Sequence, residues 1–208
     1  MAKGNNSMPS SPNPGNAVAV LFAGGRSSRM MRDKSLLPFG GYGTMGEYQY
    51  RRLKKYFAEV YISCKEDKFN FEAPLILDRY PQSSPLVGIL SVFETIEDRE
   101  FFVLSVDAPF VDRNIITTLY DSDPQAHCSA VTAESPQGIQ PLCGIYRRSI
   151  IPNAKAFLAR GDHRLTALLK ASGSCSVRFE EESLFANLNY PEEYDKAVQR
   201  LRLADSDE

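Results

Sequence analysis

The chain has 208 residues, 43% of them hydrophobic and 24% charged, which suits a soluble globular protein with one core of ordinary size. A formal net charge of −2 excludes a general nucleic-acid binder, and no apolar run reaches the ~18 residues of a membrane span. Four widely spaced cysteines (Cys64, Cys128, Cys143, Cys175) and two histidines (His127, His163) lack zinc-site spacing, and the cysteines read as free thiols in a reducing cytosol.

The first 16 residues, MAKGNNSMPSSPNPGN, carry no apolar stretch of a signal peptide and read as a disordered tail. Residues 17–203 read as one domain, and 204–208 as an acidic fray. Within the domain, Ala17–Phe22 (AVAVLF) has the length and branching of a buried strand. Met45–Phe57 spaces Met45, Tyr48, Leu53, Tyr56 and Phe57 as a helix does. Glu59–Ser63 and Pro74–Leu77 are strands. Ser84–Ile96 is a helix with Pro85 in its first turn, where a missing N–H costs nothing. Phe101–Val106 is a strand, and Asp112–Tyr120 a helix with an aspartate cap. Cys128–Ala133 and Pro141–Tyr146 follow as strands, then helices Ser149–Gly161 and Arg164–Ser172, a strand Ser176–Phe179 and a closing helix Pro191–Leu203.

This alternation predicts an α/β fold with a mainly parallel sheet and helices on both faces. Ligands in such sheets collect beyond the carboxyl ends of the strands. Those ends carry Ala23-Gly24-Gly25, Ser63, Asp78 and Asp107, which are therefore expected to share one crevice.

Three glycine-rich stretches compete as phosphate sites. Gly41 and Gly46 have Walker spacing, but Glu47 stands where a lysine is needed and would repel phosphate. Gly41, Gly43 and Gly46 also spell a dinucleotide fingerprint, yet Pro38 spoils the strand that must precede it. The third stretch is AGGRSSRMMRDK, Ala23–Lys34. Gly24 and Gly25 let backbone approach a ligand closely, and successive N–H groups there can cradle an anion. Arg26, Arg29, Arg32 and Lys34 against a single acid, Asp33, make it the densest basic stretch of an acidic chain.

AGGRSSRMMRDKSLLPFGG resembles the signature of the nucleotidyltransferases that include molybdenum cofactor guanylyltransferase, the MobA-type enzymes. In family order, LILDRYPQSSPLVGIL, FFVLSVDAPFV and FANLNYPEEY resemble further family segments. The resemblance spans Ala17 to about Tyr194. It implies a Rossmann-like three-layer nucleotidyltransferase fold. It also implies transfer of GMP from GTP to molybdenum-bound molybdopterin with Mg²⁺. Carried over, Phe22, Ala23, Gly24 and Gly25 line guanine and ribose, Arg26 and Lys34 meet the triphosphate, and Ser63 and Asp78 help hold the nucleotide. Asp107 ligates Mg²⁺, and Asn187 and Asn189 face the pterin, though both also suit the cap of the last helix. The chain departs from the family at Met31, at Phe22, at Ser63 and at Ser84, which replaces a glycine. Arg147 and Arg148 read as solvated charges or contacts to the anionic pterin. A cytidylyltransferase, another small nucleotidyltransferase and a non-catalytic GTP-binding module remain alternatives. A cytoplasmic monomer without nucleic-acid or membrane contacts is expected, with molybdoenzyme chaperones or other cofactor-biosynthesis proteins as partners.

Overall fold

A computed structural model describes residues 17–24 and 33–204; Gly25, Arg26, Arg29, Met31, the proposed tail and the residues after 204 lie outside them. Among the described residues, seven strands form one sheet: β1 (Val18–Phe22), β2 (Glu59–Cys64), β3 (Leu75–Leu77), β4 (Glu100–Ser105), β5 (Ala130–Ser135), β6 (Gly138–Arg147) and β7 (Cys175–Arg178). Among them too, six α-helices flank it: α1 (Met45–Leu53), α2 (Pro85–Phe93), α3 (Arg113–Ser122), α4 (Ile151–Ala159), α5 (Leu165–Ala171) and α6 (Pro191–Ala204). The strand order is β3-β2-β1-β4-β6-β5-β7. Neighbours pair in parallel except around β6, which runs antiparallel to both β4 and β5.

The period of two along each strand builds the three layers. On β1, Ala19 and Leu21 pack with residues of α1 and α3, whereas Val18, Val20 and Phe22 pack with residues of α2, α4 and α5. Phe102 and Leu104 of β4 join the first core, and Phe101 and Val103 the second. Both faces are covered, so the inner strands read as continuous apolar runs rather than alternating ones.

The helix signals hold at the level of single atoms. Ser84 Oγ accepts from Val87 N with Pro85 in the first turn, and Asp112 Oδ1 accepts from Ile115 N at 2.9 Å. The first helix stops at Leu53, short of Phe57, because Lys54 to Tyr56 tighten into turns. β6 starts at Gly138 rather than Pro141. Proline has no N–H to give to a ladder, and the β5–β6 register slips there, from Thr132↔Gly144 to Ala133↔Gln140. The slip leaves Pro141, Leu142 and Cys143 on the wall of a cavity. The stretch before Gly41 is no strand: Lys34–Leu36 is a 3-10 turn and Phe39 meets Tyr42 in an isolated bridge, so the dinucleotide fingerprint lacks its fold.

Two expectations are corrected. The four cysteines are not all free thiols: Cys128 and Cys175 form a disulfide, and Cys64 and Cys143 are free and buried. Parallel pairing of Val131 with Cys175 brings together cysteines 47 residues apart, a neighbourhood that spacing does not reveal. Arg147 is not a solvated charge, Arg148 is only partly buried at the start of the turn before α4, and neither lines the cavities at the strand ends. Arg147 is buried, with Nε donating to Glu100 Oε2 at 2.7 Å and Nη1 to Asp123 Oδ2 at 2.6 Å and to Cys128 O at 2.7 Å. Arg148 donates to Asp98 O and Ile96 O and lies over the Phe93 ring.

Removing one member of a buried ion pair leaves an uncompensated charge. Arg147→Met is therefore expected to cost about 3–5 kcal/mol in urea unfolding. Burial pushes the Asp123 carboxyl up, but the Cys128 and His127 amides and the Arg147 guanidinium outweigh it and hold it below its usual range. A depressed carboxyl stabilises the fold above its unfolded-state range and loses that stabilisation as pH falls through the folded value. Arg147→Met should thus also flatten the acid limb of the stability profile. Wild-type stability in the variant would contradict the pairing.

Candidate functional site

The carboxyl ends of β1 to β4 lie side by side, tied by their own backbones. Ala23 N donates to Ser63 O at 2.9 Å, Asp78 N to Cys64 O at 3.1 Å and Val106 N to Phe22 O at 3.0 Å. Phe22, Gly24, Ser63 and Asp78 line a cavity of about 150 Å³, closed by Ser84, Pro85 and Gly88 at the amino end of α2. Gly88 is where the helix comes closest: a Cβ there would stand 2.6 Å from Phe22 Cε1 and 3.1 Å from Ser63 Oγ. Burial pushes the Asp78 carboxyl up, with Lys65 opposing. Ala23 has a different place from the one expected of it. Its side chain is 2% exposed and packs in the α1–α3 core, so it offers the site only backbone.

A second cavity of about 460 Å³ adjoins the first, sharing Pro85 and Leu142. Asp107, Asn187 and Asn189 line it. Asp107 is fixed from several directions. Ser105 Oγ donates to its Oδ1 at 2.5 Å, Leu188 N to its carbonyl at 3.0 Å, and the buried Gln49 amide to Val106 O at 3.2 Å. Lys34 Nζ reaches Asp107 Oδ2 at 3.0 Å and Asn189 Oδ1 at 2.7 Å. Of the strand-end groups expected in one crevice, Gly24, Ser63 and Asp78 therefore share a cavity with Phe22, whereas Asp107 lines the adjoining one with Asn187 and Asn189, and Lys34 reaches Asp107 and Asn189 there. Gly25 and Arg26 fall outside the described residues.

The capping alternative for the asparagines does not hold. Glu193 reaches back to accept from Asn189 N at 2.6 Å and Tyr190 N at 2.9 Å, which satisfies the amino end of α6 and leaves the Asn189 side chain to Lys34. Asn187 lines both this cavity and a third one of about 400 Å³ beside α6.

The chemistry of Asp107 fits Mg²⁺. It presents hard oxygens at the cavity wall and its side chain is 20% exposed. Mg²⁺ keeps several waters and takes substrate phosphates, so one carboxylate from the protein suffices.

Sequence reasoning missed three contributors. Lys68 donates to Ala23 O and to Asp33 Oδ2, but it sits in a mixed-charge loop with no motif. Gln49, a polar residue within the first helix, is fully buried. His163 pairs its Nδ1 with Ser84 Oγ at 2.8 Å, across 79 residues. The one available signal was Ser84 itself, as a departure from glycine; its hydroxyl both caps α2 and meets the histidine.

Residues 19–176 match the model of the MobA-like NTP transferase domain. The chain belongs to that family. It is 35% identical over 185 residues to the molybdenum cofactor guanylyltransferase of Campylobacter jejuni strain 81116, covering 88% of this chain and 96% of that protein. The protein of the same name from Helicobacter pylori strain P12 is 34% identical over 193 residues, covering 90% and 94%. Molybdopterin-guanine dinucleotide biosynthesis protein A of Archaeoglobus fulgidus superposes with a TM-score of 0.78 at 18% identity, covering 89% of this chain and 99% of that one, a likeness of fold. Among the described residues no helix is long and apolar enough to cross a membrane.

In this MobA-like chain the contact at Gly88 gives a direct check on the smaller cavity. Gly88→Ala must displace the packed Phe22 ring and should cost about 1–3 kcal/mol in urea unfolding. An unchanged midpoint would show that the helix end and Phe22 are not in contact.

Proposed function

We propose that the chain transfers GMP from GTP to the terminal phosphate of molybdenum-bound molybdopterin, giving the guanine dinucleotide cofactor and pyrophosphate. The observation that carries this reading is the pairing of Lys34 with Asp107 at the wall of the larger cavity, which adjoins the strand-end cavity through Pro85 and Leu142. The strand-end lobe then holds the nucleoside and the larger one the pterin, with the Lys34–Asp107 pair beside the larger lobe.

In the reaction, an oxygen of the acceptor's terminal phosphate attacks the α-phosphorus of GTP. The new P–O bond forms as the bond from that phosphorus to the α–β bridging oxygen breaks, and pyrophosphate leaves with the electron pair. Both reactants are anions, so the protein's task is alignment and neutralisation of charge. Lys34 supplies a mobile positive charge to the phosphates, with Arg26 assigned the same work. Asp107 is the residue that would hold Mg²⁺, which when bound neutralises phosphate oxygens. Phe22 and Gly24 form the wall for guanine and ribose with the Ala23 backbone beside them, and Gly25 is assigned the same role. Ser63 and Asp78 offer acceptors: guanine presents N1–H and N2–H₂ side by side, and a carboxylate that burial disfavours gains from two such donors. Cytosine presents only its exocyclic amine. Asn187 and Asn189 stand on the pterin side, Asn189 also orienting Lys34. On the same reading the protein works as a cytoplasmic monomer and passes its product to molybdoenzyme chaperones or other proteins of cofactor assembly.

Thermal-shift titration with Mg²⁺ tests the reading directly. GTP should stabilise the wild type more than CTP or UTP at equal concentration. Asp107→Ala should abolish turnover while retaining most of the GTP affinity, because the base and ribose contacts remain. Tighter binding of CTP would contradict the guanylyl assignment, and unchanged turnover in the variant would refute the metal role.

A further inference from the structure

Lys68 belongs to the connection between β2 and β3, far in sequence from the basic stretch after β1. Its ammonium donates to Ala23 O at 2.8 Å and to Asp33 Oδ2 at 2.5 Å, and its side chain is 16% exposed. Ala23 directly precedes the glycine pair and Asp33 directly precedes Lys34. One ammonium thus joins the two ends of the basic stretch.

The Asp33 end is itself organised. The Asp33 carboxylate accepts from Ser35 N at 3.0 Å and Ser35 Oγ at 2.6 Å, which caps the 3-10 turn Lys34–Leu36. That turn aims Lys34 at Asp107 and Asn189. Two of the three N–H donors of Lys68 are spent on protein acceptors, so it acts through the loop rather than as a ligand of the phosphates. Lysine suits this place because its donors diverge from a point, whereas the planar guanidinium of arginine does not aim at a carbonyl and a carboxylate in the same way.

We propose that Lys68 is a positioning residue of the nucleotide site, which clasps the ends of the basic stretch together and so holds Lys34 toward the bound phosphates. The link to phosphates rests on the nucleotidyltransferase reading above; the clasp itself does not. Burial pushes the Asp33 carboxyl up, yet Lys68 and Ser35 outweigh it and hold it below the usual carboxylate range. The Asp33 side of the clasp therefore stays charged at neutral pH.

Hydrogen exchange on the full chain without nucleotide, followed by GTP–Mg²⁺ titration, tests this. In Lys68→Met, exchange across residues 33–39 should rise while α3 and β4 keep wild-type rates. The dissociation constant and the KM for GTP should rise about tenfold, as expected on losing one charge-assisted hydrogen bond, with the KM for the acceptor unchanged. Asp33→Asn should reproduce both effects, Lys68→Arg should recover part of the GTP affinity, and Lys68→Met with Asp33→Asn should be no worse than either alone. Wild-type exchange across 33–39 in both single variants would overturn the clasp. So would GTP effects that multiply in the double variant. Absence of GTP binding by the wild type would instead remove the GTP reading, while the exchange rates still decide the clasp.

Discussion

The Lys34 ammonium lies 3.0 Å from Asp107 Oδ2 and 2.7 Å from Asn189 Oδ1, with only 12% of its side chain exposed. These contacts join three segments that the sequence separates by 73 and 155 residues. Charge-assisted hydrogen bonds in such a setting contribute roughly 1.5–3 kcal/mol each. The junction has two consequences. It balances Asp107 when no other cation is near, and it ties the loop before α6 to the segment between β1 and α1. A triphosphate would compete for the same ammonium, so nucleotide binding and the geometry of the loop before α6 would share one residue.

The sheet is what makes that junction possible. Parallel β1 to β4 deliver their carboxyl ends to one edge, where cross-strand backbone bonds hold Phe22, Ser63, Asp78 and Val106 in register. Antiparallel β6 then contributes the bulge at Pro141 to Cys143 that walls the larger lobe. Farther out, the Arg147 network ties β6 and β4 to the end of α3, and the Cys128–Cys175 bond adds a covalent tie from the entry of β5 to β7. Rigid elements thus surround a site whose charged groups come from the connections, where chemistry is easiest to vary.

Much of this could be read from residues in order. Strand runs, helix caps at Ser84 and Asp112, and aspartates at strand ends are local patterns, and a parallel sheet converts the last of these into a shared cleft. What could not be read depends on which segments the fold brings together. Lys68 needs the β2–β3 connection to pass beneath Ala23; Arg147 looks like a surface charge until β4 and α3 enclose it. Cys128 and Cys175 become neighbours only through β5–β7 pairing. Asn189 could be a helix cap or a site residue by pattern, and Glu193 decides between them by taking the cap.

On the proposed reading a guanine nucleotide lies in the strand-end cavity with its phosphates directed to Asp107 in the adjoining lobe. A crystal structure with a non-hydrolysable GTP analogue and Mn²⁺ in place of Mg²⁺ tests it most directly. The expected result is an anomalous peak against the Asp107 carboxylate, the base between Phe22 and Asp78, and Lys34 turned from Asp107 to the phosphates. A metal peak away from Asp107, or a nucleotide seated outside the strand-end cavity, would contradict it.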